Sequence, residues 1–208
     1  YRRKARLSVR YVEKKGKALA GFREANGRYV AEIEHCPVLD PRVGLHLGNL
    51  SRLVSTLDAR AAIPQIEVAA ADQVVLVFRI LVPLSASDRM QLRQFGAEHG
   101  FVIVLQPAGP DSLIGLDGDP SPQLRYSIDE QLKLSYQALD FVQVNDSINR
   151  SMIVQALDLL DVGSSDRVLD LYCGLGNFTL PLARRAAEVF GVEGDAGLIE
   201  RARANAVQ

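Results

Sequence analysis

The chain is 208 residues long, 48% hydrophobic and 24% charged, with a formal net charge of -1. This composition excludes disordered and fibrous classes and leaves room for one large domain or two modest ones. No apolar run approaches the roughly 20 residues of a membrane span, no signal peptide is visible, and two cysteines without an extracellular signature fit a reducing cytoplasm.

The charge is unevenly placed. Residues 1–28 hold ten Lys and Arg against Glu13 and Glu24, while the remainder holds fourteen basic against twenty-three acidic residues. A basic arm on an acidic body suggests a polyanionic partner met locally. Residues 2–12 alternate, with Arg2, Lys4, Arg6, Ser8 and Arg10 on one face and Arg3, Ala5, Leu7, Val9 and Tyr11 on the other, the period of a β-strand. The basic face fits either plain solvation or contacts to RNA or DNA phosphates. Lys14, Lys15, Gly16 and Lys17 read as a turn. Residues 19–23 and 29–33 read as neighbouring strands joined at Asn26-Gly27, a hairpin signal. After His35-Cys36-Pro37, the spacing of Val43, Leu47, Leu50, Val54 and Leu57 predicts an amphipathic helix over 41–60. Residues 66–70 and 74–82 predict paired strands. A helix over 87–100, capped by Ser87 and stopped by Gly100, a strand over 101–105 and a loop over 107–123 follow.

Residues 126–134 and 139–144 predict strands leading into a second domain, with the boundary near residue 137. Asp146 predicts the N-cap of a helix through Leu160 that shares Ile148, Met152, Ala156, Leu157 and Leu160 on one face. The stretch 168–181 then carries a short apolar strand, a turn at Gly174-Leu175-Gly176-Asn177 and the opening of a helix. Gly174 and Gly176 lack a Cβ, so backbone amides there can approach a ligand, and the helix start favours a negative group. Asp170 stands near the carboxyl end of the strand, where such sheets bind ligands. The G-x-G spacing lacks a third glycine, because Thr179 stands in its place, and fits an ordinary tight turn as well as a ligand cradle. Glu193, nineteen positions after Gly174, is placed either to accept from ribose hydroxyls or as a solvated strand end. Together these features favour an adenosine-type cofactor.

Cys173 has no base close in sequence, and its position suits a small packed residue. Cys36 alone makes no metal site, and His35, His46 and His99 lack ligand spacing. Phe141 and Gln143 share a face of the predicted strand over 139–144. That face is either an edge with one polar residue, or it sets the Gln143 amide on a cofactor or target with Phe141 free to stack on a base. Asn145 and Asn149 are read as capping or bridging this segment.

Phe-x-Gln-Val-Asn at 141–145, Asn149, Asp-Leu-Tyr-Cys-Gly-Leu-Gly-Asn-Phe-Thr-Leu-Pro at 170–181 and Gly-Val-Glu-Gly at 191–194 resemble the bacterial RNA uracil-5-methyltransferases. Tyr-Arg-Arg-Lys-Ala-Arg-Leu-Ser at the start and Cys36-Pro37 resemble the iron–sulfur branch that acts on 23S ribosomal RNA. The likeness runs along the whole chain. It implies an α/β protein: a central α+β domain with a mixed or antiparallel sheet over 1–137, then the start of a Rossmann-like S-adenosylmethionine-dependent methyltransferase domain over 138–208. It implies S-adenosyl-L-methionine contacts at Gln143, Tyr172, Asn177 and Glu193, with Tyr172 standing where Phe is more usual. Cys36 matches the last of four cysteines that bind a [4Fe-4S] cluster, the other three being expected upstream of Tyr1.

The reaction implied is methylation of C5 of a uridine in 23S rRNA through a cysteine adduct at C6. The family's nucleophile lies in a Ser-Cys-Asn-Pro motif and its base is a Glu near the C-terminus. Neither is among these residues, so no catalytic residue is expected here and Cys173 is not the nucleophile. The expected setting is cytoplasmic, with 23S rRNA as partner and no membrane or obligate protein partner. The alternatives are a relative acting on transfer RNA, against which Cys36 speaks, and a non-catalytic RNA-binding module. The chain reads as a piece of a longer protein.

Overall fold

Residues 1–25 and 27–207 are described by the computed structural model, and they divide into two units between Pro122 and Gln123. In the first, β1 (Lys4–Val12) is the strand that the alternation predicts. Ala5, Leu7 and Val9 are buried while Arg6 and Arg10 are exposed. One 3-10 turn over 13–15 and Gly16, at φ 63°, reverse the chain into β2 (Lys17–Gly21), antiparallel to β1. Glycine takes that left-handed conformation without a Cβ penalty. The strand expected over 29–33 does not form. Only Arg23 and Val30 bridge there, and beyond the bridge Glu32 turns to Lys15 and Lys17. Asn26 of the expected turn lies outside the described residues.

The helix expected over 41–60 is two helices, α1 (Pro41–Gly44) and α2 (Leu47–Thr56). The Gly44 carbonyl accepts from the Cys36 N–H at 2.8 Å, and the Gly48 N–H donates to the Glu34 carbonyl at 3.0 Å. The bond from Gly48 to Gly44 that would join the helices is therefore replaced by two bonds to the 34–36 segment. β3 (Gln65–Ala70), β4 (Val74–Arg79), β5 (Phe101–Gln106) and β6 (Ile114–Gly115) complete a six-stranded sheet of order β2-β1-β3-β4-β5-β6. Only β4 and β5 pair in parallel, which makes the sheet mixed. The crossover between them is α3 (Ala86–His99), ended by Gly100 at φ 68°. Its cap is Ser85 rather than Ser87. Ser85 accepts from the Asp88 N–H while the Asp88 carboxylate accepts from the Ser85 N–H, a reciprocal capping box. Leu7, Leu50, Val54, Ile66, Phe78 and Leu92 belong to one buried core.

In the second unit, β7 (Leu124–Ser127) and β8 (Lys133–Tyr136) form an antiparallel hairpin. The single strand expected over 126–134 is interrupted because Asp129 accepts from the amides of Gln131 and Leu132, both at 2.8 Å, and turns the chain. Residues 139–144 are not a strand either. Asp140 accepts from the Gln137 N–H and pairs with Arg201, each at 2.7 Å, and holds a bend. α4 (Asp146–Leu160) is capped by Asn145 rather than Asp146 and buries Asn149, Ile153 and Leu157, whereas Ile148 and Leu160 are exposed. β9 (Arg167–Leu171) and β10 (Glu188–Val192) pair in parallel around α5 (Thr179–Ala183), and α6 (Ala196–Ala206) follows.

The hairpin belongs with the second unit, so the contact boundary falls before residue 137. The reason is Asn205 of α6, which is buried and makes three bonds. Its Oδ1 accepts from the Ser135 N–H at 2.8 Å, and its Nδ2 donates to the carbonyls of Ser135 and Leu175, each at 3.2 Å. Among the described residues no helix is long and apolar enough to cross a membrane.

Candidate functional site

The strand β9 ends in a loop, 172–178, that is held from several sides. Tyr172 sits at φ 62° and Gly174 and Gly176 at 54° and 91°. Left-handed backbone is costless at the glycines but strained at Tyr172, a residue 87% exposed. A Cβ on Gly174 would point into open space, so that backbone is accessible, while one on Gly176 would meet Leu180 Cγ at 2.9 Å. Glu193 Oε2 accepts from the Gly174 N–H at 3.1 Å, and its Oε1 accepts from the amides of Gly194 and Asp195 at 2.7 and 3.1 Å. These amides, that of Asp195 foremost, hold the Glu193 carboxyl below the usual carboxylate range. Asp170 accepts from the Thr179 hydroxyl at 2.5 Å and ties the strand end to α5.

The loop lines a pocket of about 120 Å³ together with Tyr126, Phe141, Gln143 and Asp170. Three of the four residues expected to bind a cofactor, Gln143, Tyr172 and Asn177, meet here. The fourth, Glu193, is not among the lining residues but holds one of them, Gly174, by its amide. Phe141 reaches the same pocket without the expected strand, and the residue is 74% exposed.

Cys173 is buried beside the pocket. Its Sγ lies 2.9 Å from where a Cβ on Gly191 would stand, so β10 can pass only because residue 191 is glycine. Burial first, then the charges of Asp170 and Glu193, push its thiol up. The close approach of β10 and the burial of the side chain give Cys173 a packing role in this loop.

Sequence reasoning missed Tyr126 as a lining residue and Asn205 as a brace. Asn149 was read only as a cap or bridge. Its detectable signal is a polar residue in line with Ile153 and Leu157 on the buried stripe of α4.

The remaining expected residues lie in the first unit. Cys36 is half-buried and packs against that unit's core. Among the described residues no group of three or more His, Cys, Asp and Glu is placed to hold a metal. The rings of His46 and His99 pack at a tilt of 47° with centroids 4.5 Å apart, which the sequence did not reveal. Burial first, then His99 and His35, lower the His46 pKa. The basic arm is partly neutralised from within. Arg6 pairs with the buried Glu67 at 2.6 Å, and Lys15 and Lys17 both hold Glu32, whose pKa falls to about 2. Arg10 stays exposed.

Residues 122–208 match the family model described as tRNA (Uracil-5-)-methyltransferase. A Stenotrophomonas maltophilia protein named 23S rRNA (uracil(1939)-C(5))-methyltransferase RlmD is 53% identical over 209 residues, covering 100% of this chain and 47% of that protein. A Paracidovorax citrulli protein of the same name is 51% identical, covering 99% of this chain and 42% of its own length. The chain thus spans a little under half of these relatives. Among solved structures, the Pyrococcus abyssi tRNA (uracil-54, C5)-methyltransferase in complex with S-adenosyl-L-homocysteine aligns with a TM-score of 0.65 at 17% identity, over 98% of this chain and 52% of that one. That likeness establishes the fold, a mixed α/β architecture shared with a methyltransferase. Identity above one half along the whole chain, with the family model on its second unit, shows that the chain belongs to the RNA uracil-5-methyltransferase family.

Proposed function

We propose that this chain is part of an enzyme that methylates C5 of a uridine in 23S rRNA, using S-adenosyl-L-methionine at the 172–178 loop. The observation that carries the reading is the convergence of Gln143, Tyr172 and Asn177 on one pocket whose glycine wall is gripped by Glu193. The residues fit the ligand. Gly174 leaves open space against the backbone, Tyr172 is largely exposed, and the Glu193 carboxylate, which accepts from three amides, keeps one of its roughly four lone pairs for a ribose hydroxyl. S-adenosylmethionine, when bound, supplies a methyl group activated by its sulfonium. A pocket of about 120 Å³ is small beside the roughly 300–1,000 Å³ of complete ligand sites, so these residues form one wall of the site.

The nucleophile and base belong to other parts of a longer protein in this reading. The two cysteines here are Cys36 and Cys173, and the geometry of Cys173 is that of a packed thiol. Cys36 would give one thiolate to a [4Fe-4S] cluster. Such a cluster takes four, and the donor set among the described residues does not reach that number. Exposed Arg10 on β1 offers a phosphate contact for the rRNA. An rRNA substrate would place the enzyme in the cytoplasm.

Calorimetric titration of the natural full-length protein with S-adenosylmethionine tests the site. Gln143→Ala and Tyr172→Ala are each expected to weaken binding about tenfold, the equivalent of about 1.4 kcal/mol. Unchanged affinity in both would remove the ligand from this pocket.

A further inference from the structure

The side chain of Asn177 is almost fully committed before any ligand arrives. Its Oδ1 accepts from Asn149 Nδ2 at 2.9 Å and from the Tyr126 hydroxyl at 3.1 Å. Its Nδ2 donates to Asn149 Oδ1 at 2.9 Å. The pair is reciprocal, and Asn149 is 1% exposed, in the first turns of α4, where water cannot substitute for a lost partner. A carbonyl oxygen has two lone pairs and an amide nitrogen two hydrogens. Both lone pairs of Asn177 and one of its hydrogens are therefore used, and a single N–H remains.

The Tyr126 hydroxyl adds a third tie to the same amide. Two elements distant in sequence, the β7 strand and the α4 helix, thus hold one pocket residue in place.

We infer that Asn149, with Tyr126, is a positioning residue for the cofactor site: it holds the Asn177 side chain in the one place from which its remaining hydrogen-bonding capacity meets the ligand. This rests on the proposal that the pocket binds S-adenosylmethionine. Neither residue needs to touch the ligand for its effect. Asn149 works through Asn177, and the consequence is a thermodynamic coupling between the two positions that residues acting independently do not have.

The test is a double-mutant cycle in the natural full-length protein, reading S-adenosylmethionine affinity by calorimetry alongside the melting temperature of the ligand-free protein. Asn177→Ala and Asn149→Ala are each expected to weaken binding about tenfold, and the double variant no more than either alone. Tyr126→Phe, which removes one oxygen and keeps the ring, is expected to weaken binding about threefold, and to have no effect once Asn177 is alanine. It serves if Asn149→Ala does not fold. Losses that add, or affinity within twofold of the parent in Asn149→Ala or, where that variant does not fold, in Tyr126→Phe, would overturn the inference even where the melting temperature falls. A parent protein that binds no S-adenosylmethionine would instead overturn the reading beneath it.

Discussion

Gly176 is the residue on which the shape of the 172–178 loop turns, and Gly176→Ala measures that dependence. At φ 91° an alanine is held outside the conformations open to L-residues, at a cost of about 1–2 kcal/mol. Its Cβ would stand 2.9 Å from Leu180 Cγ and 3.3 Å from Cδ1, so the leucine must shift within a packed turn, for about 1–3 kcal/mol more. The Gly176 amide and carbonyl are both used, toward Cys173 O at 2.9 Å and from Leu180 N at 3.0 Å, so the backbone cannot simply rotate away. The lower entropy of the unfolded alanine chain returns only about 0.4–1 kcal/mol. The net loss is about 2–4 kcal/mol, read by urea unfolding followed by far-ultraviolet circular dichroism, where it lowers the midpoint of the second unit by roughly 1–2 M. Gly163→Ala is the control. Its φ lies outside the left-handed range and its Cβ would meet nothing closer than Asp166 Oδ2 at 3.7 Å, so it should leave the midpoint unchanged or raise it. Equal midpoints for Gly176→Ala and the parent, or an equal loss at Gly163, would refute the reasoning.

Three other outcomes follow from the same geometry. A maleimide at pH 8 should label the half-buried Cys36 about ten times faster than Cys173, which is buried and whose pKa burial pushes up, and equal rates would contradict the packing role. Glu193 has a depressed carboxyl, so the stability it contributes is present above the unfolded carboxylate pKa and lost as pH falls through the lower folded value. The stability gap between the parent and Glu193→Gln should therefore close as pH drops below about 4, and a gap that widens on acidification would reverse the assignment. Asn205→Leu removes the three bonds that Asn205 makes to the buried backbone of Ser135 and Leu175, a loss of about 2–4 kcal/mol in urea unfolding. A loss under about 0.5 kcal/mol would show that Asn205 does not brace the loop.

Local alternation and punctuation made much of this fold legible. The basic strand 4–12 rests on period two, and Gly100 ends α3 as a left-handed cap. What was not legible depended on contacts far apart in the chain. The break between α1 and α2 arises because Gly44 and Gly48 spend their hydrogen bonds on residues 34–36, and no window of helical periodicity carries that information. The hairpin at 124–136 was hidden because Asp129, in the middle of an extended-looking run, takes two amides for itself. On α4 the apolar count favoured Ile148 and Leu160, yet the buried stripe runs through Asn149, whose burial makes sense only with its amide partner Asn177.

The site divides the same way. The glycine turn and Glu193 were readable from spacing, but the bond by which Glu193 holds the Gly174 amide, a contact across nineteen residues, was not. Gln143 and Tyr172 share a pocket through a bend at Asp140 rather than through a strand.

The central claim is best tested by incubating the natural full-length protein with 23S rRNA and S-adenosylmethionine carrying a labelled methyl group, then digesting the RNA to nucleosides. The account predicts label in 5-methyluridine, falling at least about tenfold when Gln143 or Tyr172 is alanine. Label on another atom, label on transfer RNA alone, or full transfer in both variants would contradict it.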